Sequence, residues 1–408
     1  MKPAQIAEIL NGVFDEIIGE SAVVTEDLSN IVDIGRTITA GTNDISDKDF
    51  ESYIGAIIDK VGKTIYNDKV YNGHSLGLLR DGWEFGSILE KIRVDVGDYV
   101  ESEDWNLADY TPTVFDFTPP EAQAKYFNKK VTFTLKNSTT RKQFRSAFTS
   151  ADSMNRFFSA LENRIKMKQR VAIDGLEQRT LNNFIAEKIK AGSNVINLLT
   201  EYKTENPSAT TTASNWMNDK DFLKFVYRKI GIMRKLLGRP SMKYNNDGYT
   251  TFTTKEDMRI YALSDFVQAM ETTVYSDTFH NEYVKLEGFY ELPYWQGSGT
   301  DDSFSERSKI DVIPASEGEQ TGETDTRTPV TQSGVVFAML DKNACAVCNE
   351  EPNITSIYNP EANFYNWWYK FDCSYFNDLD ENGIVFIIAD ETGDTEGDTG
   401  DTEGTDET

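Results

Sequence analysis

Histidine is nearly missing from this chain, with two residues in 408, and cysteine is scarce at three. Two histidines leave little scope for imidazole catalysis or a histidine-ligated metal. An odd, small number of cysteines argues against a disulfide framework. Basic residues are outnumbered, 41 against 67 acidic, for a formal net charge of −26. A chain this acidic is not expected to coat nucleic acid non-specifically, because the phosphates repel it. No run of about 18 apolar residues occurs, so no membrane span is expected. The start of the chain also lacks the basic opening and unbroken apolar run of a signal peptide. Instead Ile6, Ile9, Leu10, Val13, Phe14, Ile17 and Ile18 form a helical stripe broken by Glu8, Asp15 and Glu16. Folding in a reducing cytoplasm is the expectation.

Signatures of catalysis are missing too: no G-x-S-x-G, H-E-x-x-H or G-x-G-x-x-G occurs. Gly62-Lys63-Thr64 looks like the end of a phosphate-binding loop, but Ile57 stands where that motif needs glycine. The triplet also falls inside a predicted helix. Cys345 and Cys348 form a C-x-x-C pair. A structural zinc needs four ligands, and the only other thiol is Cys373, while His74 and His280 are far away in sequence. Small buried residues in or after a strand are the better reading. No catalytic residue, cofactor or metal ligand is therefore predicted, and an enzyme is unsupported.

What the chain does have is an apolar content of 39%, enough for a sizeable core and for two or three domains. Thr149 to Lys190 reads as one long helix, with Met154, Phe157, Phe158, Leu161, Ile165, Ala172, Leu176, Phe184, Ile185 and Ile189 near the helical period. Ser150 or Asp152 is placed to cap it, and Gly192 to end it. About 40 residues at ~1.5 Å each span ~60 Å, the length of a strut. Its polar face is read as basic, through Arg156, Arg164, Lys166, Lys168, Arg170, Arg179, Lys188 and Lys190, set against Asp152, Glu162, Asp174, Glu177 and Glu187.

Ahead of it, Pro3–Ile18 and a stretch from Ser46 to Ile65 read as helices. Ser87–Val96 and Lys130–Lys136 alternate with a period of two and are expected to pair as a hairpin. The excursion between them, Gly97 to Asn128, is too long for a loop inside a compact domain. Its first part, Gly97–Thr118, carries Asp98, Glu101, Glu103, Asp104, Asp109 and Asp116 and no base. After the long helix, Asn218–Leu237 reads as a helix, Tyr249–Thr253, Met258–Leu263 and Tyr283–Phe289 as strands, and Ser264 or Asp265 as a helix cap. Gln296–Arg327 reads as a solvated loop. Val335–Leu340, Tyr365–Tyr375 and Ile384–Ala389 read as strands, the second with large side chains at every other position. From Asp390 on there are nine acids and no base, a composition that predicts disorder.

This order of parts resembles the tailed-phage major capsid protein fold of the HK-ninety-seven type, most similarly in short-tailed, podovirus-type phages. The resemblance is carried by IDKVGKTIY with ILEKIRVDVGD, by KKVTFTLKNSTTRKQFRSAFTSADSMNRFFSALENRIKM, and by VVFAMLDKNACAVCNEEPNITSIYNPEANFYNWWYKF. It implies an α+β fold: an N-terminal arm (1–45), a helix plus extended two-stranded loop (46–137), a peripheral antiparallel sheet with a spine helix (138–195 and 334–390), a central α/β axial domain (196–333) and an acidic tail (391–408). It implies an icosahedral shell enclosing double-stranded DNA without sequence-specific binding, assembled in the host cytoplasm. The partners implied are copies of the chain in pentamers and hexamers, a scaffolding protein and a portal. In such shells the extended loop lies over a neighbour's spine, so Asp98, Glu101, Glu103 and Asp104 are expected to face Arg156, Arg164, Lys168 and Arg170. The Lys–Asn cross-link of some relatives is not carried over, because no matching motif is visible. A cargo-holding nanocompartment of the same fold, and an ordinary two-domain enzyme or binding protein, are the alternatives.

Overall fold

The computed structural model of the chain describes residues 4, 6–8, 10, 11, 24–30, 76–80, 89–94, 122–140, 150–246, 248–272, 289–296, 302–317, 327–349, 353–359, 361 and 364–390, without the side chains of 89, 94, 122, 152 and 155–163. Strands β1 (Leu79–Arg80), β2 (Leu89–Val94), β3 (Ala122–Phe127) and β4 (Lys130–Thr140) precede helix α1 (Ala151–Ala191). Then come β5 (Val195–Asn197), α2 (Leu198–Glu205), α3 (Lys220–Leu237), β6 (Met258–Leu263), α4 (Ser264–Met270), β7 (Phe289–Leu292), α5 (Phe304–Arg307), β8 (Ile310–Val312) and β9 (Val330–Gln332). Strands β10 (Val335–Asp341), β11 (Cys345–Asn349), β12 (Asn353–Asn359), β13 (Phe364–Asn377) and β14 (Gly383–Ile387) follow. The fold mixes helix and sheet. Among the described residues, no helix is long and apolar enough to cross a membrane.

The long helix forms as its sequence dictates. Ser150 Oγ accepts the Ser153 N–H at 3.1 Å, satisfying one of the donors that a helix start leaves open. At the other end Gly192 takes φ +71, and its N–H donates to Lys188 O at 3.1 Å. A left-handed residue there stops the helix, and glycine takes that conformation without a Cβ penalty.

Two compact units divide the chain: Met1–Val94, Phe115–Thr180 and Cys345–Phe376 form one, and Asp95–Val114, Leu181–Ala344 and Asn377–Thr408 the other. The segment 334–390 contributes to both, β11–β13 to the first and β10 and β14 to the second.

In the first unit β13 is the organising strand. Tyr365, Trp367, Tyr369, Phe371 and Cys373 are buried at every second position. The alternation slips after Cys373: Ser374 and Phe376 are buried and Tyr375 is only partly so. Phe376 lies tilted beside Phe127, with ring centroids 5.0 Å apart, and so takes the inward position. Val131, Phe133 and Leu135 of β4 pack on Ile173, Leu176, Val347, Phe371 and Cys373. Cys345 and Cys348 are buried within β11 and form no disulfide, as small core residues.

The hairpin pairing differs from expectation. β4 pairs antiparallel with β13 over Lys130–Thr140, whereas β2 pairs with β3 from Leu89↔Phe127 to Val94↔Ala122. The long aromatic face of β13 offers β4 an eleven-residue ladder with a buried side. The short stretch AQAKYF, without a strong strand pattern, is left for β2.

In the second unit a five-stranded sheet runs β5-β14-β10-β6-β7. β10 lies inside it, and all seven of its residues are buried. An apolar run flanked on both edges needs no polar alternation. Helix α3 buries Phe222, Leu223, Phe225, Val226, Ile230, Met233 and Leu237, and Asp219 caps it through the Asp221 and Phe222 N–H groups. Its apolar side joins Trp216, Ile260, Phe266, Phe337 and Phe386 in one core.

Four local readings are corrected here. Tyr249–Thr253 is not a strand but a single bridge, Ser241↔Thr251. Helix α4 has no side-chain cap, because Ser264 Oγ donates to Leu292 O and the Asp265 carboxylate pairs with Arg307. Residues 302–317 of the supposed solvated loop hold α5, β8 and a 3-10 turn, with Ile310 and Ser308 fully buried. On α1, Glu177, Glu187 and Lys188 are buried rather than solvated. Each has partners: Glu177 accepts the Leu76 N–H at 3.1 Å, and Glu187 accepts the Ser316 N–H at 2.7 Å and its hydroxyl at 2.8 Å. A periodicity of apolar residues does not reveal such polar contacts.

Candidate functional site

A helix in a solvated position should present polar groups outward. In the first unit α1 does not. Ile165, Ile173, Leu176 and Thr180 are buried on one side, at i, i+8, i+11 and i+15, the intervals of a single face. Met167 and Val171, four residues apart on the opposite face, are 71% and 66% exposed. Arg164 and Arg170 are exposed and flank this pair, and Lys168 is half-buried beside it. Lys168 Nζ donates to Lys136 O at 3.4 Å, so this cation is partly engaged within its own unit. The result is an apolar strip between cations.

The β2–β3 hairpin shows a second inversion. Ile92 opposes Ala124 and Glu90 opposes Tyr126, so these four share one face of the ribbon. Ile92 and Tyr126 are 65% and 60% exposed, and Ala124 is exposed as well. The other face carries Lys91 and Lys125, both half-buried. The apolar face is therefore the outward one. Tyr126 Oη donates to Glu90 Oε1 at 3.0 Å, and this bond and the carboxylate charge push the phenol above its ordinary pKa of 10.0, keeping it neutral. Two-stranded ribbons are marginal alone.

The second unit offers a depression of about 450 Å³ lined by Met217, Ser264, Asp265, Gln268, Ala269 and Arg307, among others. Its charged groups serve each other: Arg307 donates from Nη2 to Asp265 Oδ1 at 2.8 Å and from Nε to Oδ2 at 3.0 Å. Among the described residues, no group of three or more His, Cys, Asp and Glu side chains is placed to hold a metal ion.

The profile of the Phi29-like phage major capsid protein family matches residues 6–387. The chain belongs to that family. No curated protein sequence matches. Among solved structures, the capsid of Staphylococcus phage Andhra is similar at 13% identity over 78% of this chain and 85% of that one, with a TM-score of 0.49. A chain from the structure of the head fiber and inner core protein gp22 of native bacteriophage P68 is similar at 14% over 77% and 84%, with a TM-score of 0.46. The capsid of cyanophage P-SCSP1u is similar at 10% over 77% and 87%, with a TM-score of 0.40. The shell protein reading of the sequence is thus the right one, and the chain is a structural component of a phage head.

Of the residues expected at the subunit contact, Arg164, Lys168 and Arg170 stand on α1 as described, while Asp98, Glu101, Glu103, Asp104 and the Arg156 side chain lie outside the described residues. So do Ser46–Ile65 with Gly62-Lys63-Thr64, Tyr283–Glu287 and the segment after Asp390. Met167, Val171, Ile92 and Tyr126, exposed here, were not among the residues that the sequence singled out for a contact. Their signal was legible: Met167 and Val171 are apolar but out of phase with the buried stripe of α1.

Proposed function

We propose that this major capsid protein closes its shell by laying the β2–β3 ribbon, with the acidic stretch Gly97–Thr118 beyond it, over the exposed face of α1 on a neighbouring copy. The observation that carries this reading is the pair of outward apolar strips, Ile92 with Tyr126 and Met167 with Val171. Magnitudes rank the forces. Burying one such side chain fully contributes about 1.5–3 kcal/mol, whereas an exposed ion pair contributes about 0–1 kcal/mol. The apolar strips supply affinity. The charges of Asp98, Glu101, Glu103 and Asp104 against Arg156, Arg164, Lys168 and Arg170 set register. From Pro120 to Lys190 fifteen bases face six acids, so the signs are complementary.

In this reading 1–45 is the N-terminal arm, 46–137 the helix and extended loop, 138–195 with 334–390 the peripheral part, and 196–333 the axial part meeting its copies in pentamers and hexamers. Heterologous contacts of this kind close into shells when their rotations close. The shell encloses double-stranded DNA without reading its sequence, is built in the host cytoplasm with a scaffolding protein and a portal, and performs no catalysis.

The test replaces Asp98, Glu101, Glu103 and Asp104 by Asn or Gln and follows particles by negative-stain microscopy with scaffold co-expressed. Circular dichroism of the subunit should be unchanged, assembly should weaken, and added salt should weaken the unmodified protein more than the variant. Normal assembly with equal salt response would dismiss the charge pairing. Absence of any particle from the unmodified protein would dismiss the shell contact itself.

A further inference from the structure

Helix α3 is buried along one side, yet Ile232 and Leu236, one turn apart and out of phase with that side, are exposed. The apolar strip continues past the end of the helix. Ser241 and Thr251 exchange backbone hydrogen bonds of 3.0 and 3.2 Å, and the residues next to that bridge, Met242 and Phe252, are exposed as well. Thr253 is buried, and its N–H donates to Leu237 O at 2.8 Å, which sets Phe252 beside the last turn of α3. Four large apolar side chains thus form one strip, roughly 15 Å long at the rise of about three helical turns.

The border of the strip is cationic. From Phe222 to Asn246 the chain has seven bases and no acid, against a net charge of −26 overall. Arg228 and Lys229 are engaged by Glu205 and Glu201 of α2, and Lys243 Nζ lies 5.7 Å from the centre of the Tyr244 ring. Lys235 and Arg239 differ. Both are exposed, one residue before Leu236 and three after it, and neither side chain pairs with a described residue. Exposed apolar groups rimmed by polar ones mark a protein-binding surface, and the sign of the rim selects the partner. A second copy presenting this same surface sets Lys235 and Arg239 against themselves. Met167 and Val171 are flanked by Arg164 and Arg170, so that strip is repelled likewise. Ile357 stands on β12, which carries no charge. Gly97–Thr118 is acidic but lies on α1 in the reading above, and to that extent the inference rests on that reading. Nucleic acid matches the charge and leaves the apolar strip uncovered.

We propose that this surface docks an acidic amphipathic helix of a separate protein. The apolar face of that helix lies on Ile232, Leu236, Met242 and Phe252, and its carboxylates meet Lys235 and Arg239. A stripe one turn apart on α3 accepts a matching stripe on a second helix, ridge into groove. Apolar burial supplies the affinity, and the cationic rim sets orientation and rejects basic partners.

Fluorescence anisotropy with the unassembled full chain tests this. The probe is a labelled peptide of about 18 residues, or five helical turns, with leucines on one face and glutamates on the other. It should bind, while a scrambled peptide of the same composition and a polyglutamate of the same length should each bind about tenfold more weakly or worse. I232S/L236S should weaken binding of the probe by about tenfold or more, with circular dichroism unchanged. K235Q/R239Q, which alters only exposed side chains, should weaken it too and flatten its salt dependence. M167Q/V171T should bind as the unmodified chain does. Equal binding of the scrambled peptide or of polyglutamate, or unaltered affinity in both α3 variants, would overturn the proposal. Self-association of the chain that I232S/L236S abolishes would give the strip to a second copy. Probe affinity raised by D98N/E101Q/E103Q/D104N would give it to the chain's own acidic stretch, and either result overturns the proposal. Normal shells from that last variant dismiss the α1 charge pairing and leave the peptide measurements unaffected, so the two readings fail separately.

Discussion

Lys188 Nζ donates to Asn246 Oδ1 at 2.9 Å, in a site that leaves the lysine no exposed surface. The same ammonium lies 3.4 Å from Leu379 O and 3.5 Å from Tyr244 O, and 5.4 Å from the centre of the Phe184 ring. One side chain of α1 thus ties together a loop and a turn that have no regular structure of their own. Burying a cation is costly, so its hydrogen bonds must be kept. Replacing Lys188 by Met keeps the length and removes the shared donor. The isolated subunit should lose about 1–3 kcal/mol in a urea titration. No loss would mean that water serves those acceptors equally well.

Gly334 and Gly192 separate two kinds of glycine requirement. Both have positive φ, +78 and +71, but a Cβ on Gly334 would stand 2.2 Å from Ile388 O, whereas one on Gly192 meets nothing within 4 Å. Gly192→Ala should cost only the left-handed penalty, about 1–2 kcal/mol. Gly334→Ala should cost about 3 kcal/mol or more and reduce soluble yield. Similar midpoints for the two variants would contradict the close approach.

Met167→Gln with Val171→Thr should leave the subunit's unfolding midpoint within about 0.5 kcal/mol, since both positions are mostly exposed. The concentration needed for shell formation should rise by about tenfold or more, from lost apolar burial at each contact. Light scattering at graded subunit concentration measures it. Unchanged assembly would remove the strip from the interface.

Asp341 is 5% exposed, and burial pushes its carboxyl above the ordinary value of 3.8, with Glu381 and Asp257 adding to the rise and hydrogen bonds from the Asn343 N–H and Thr253 opposing it. A raised carboxyl favours the folded state in its protonated form. Its penalty is therefore fully present above the folded-state pKa and disappears below the unfolded one. Asp341→Asn should raise the melting temperature of the subunit at pH 7, and the gain should fade as pH drops toward 3.8. A gain independent of pH would point to packing instead.

The long helix, its Ser150 cap, its Gly192 stop and the alternation of β13 were legible because each is a local pattern imposed by backbone geometry. Pairing was not. Nothing local tells β4 to prefer β13 over β2, since the choice rests on an aromatic face more than 200 residues away. The buried Glu177, Glu187 and Lys188 were misread for the same reason: a charge is assigned to solvent until its distant partner is known. The exposed strips were half legible. The cations of α1 appear in the sequence, but the outward direction of Met167 and Val171 becomes meaningful only once the buried face is fixed.

The ladder between β4 and β13 also bears on how the chain is made. Thr132 bonds to Asp372 and Ser138 to Asn366, across 240 and 228 residues. During synthesis β4 leaves the ribosome long before β13 exists, with Val131, Phe133 and Leu135 uncovered and both edges open. Closing a loop of this size is slow, and long-range strand pairing waits for it. Nascent chains therefore carry an unpaired, partly apolar strand through most of translation, the condition that favours pairing with a neighbour on the same message. A protein needed in many copies at once meets that hazard at its greatest, and its yield will depend on how quickly residues 364–377 follow.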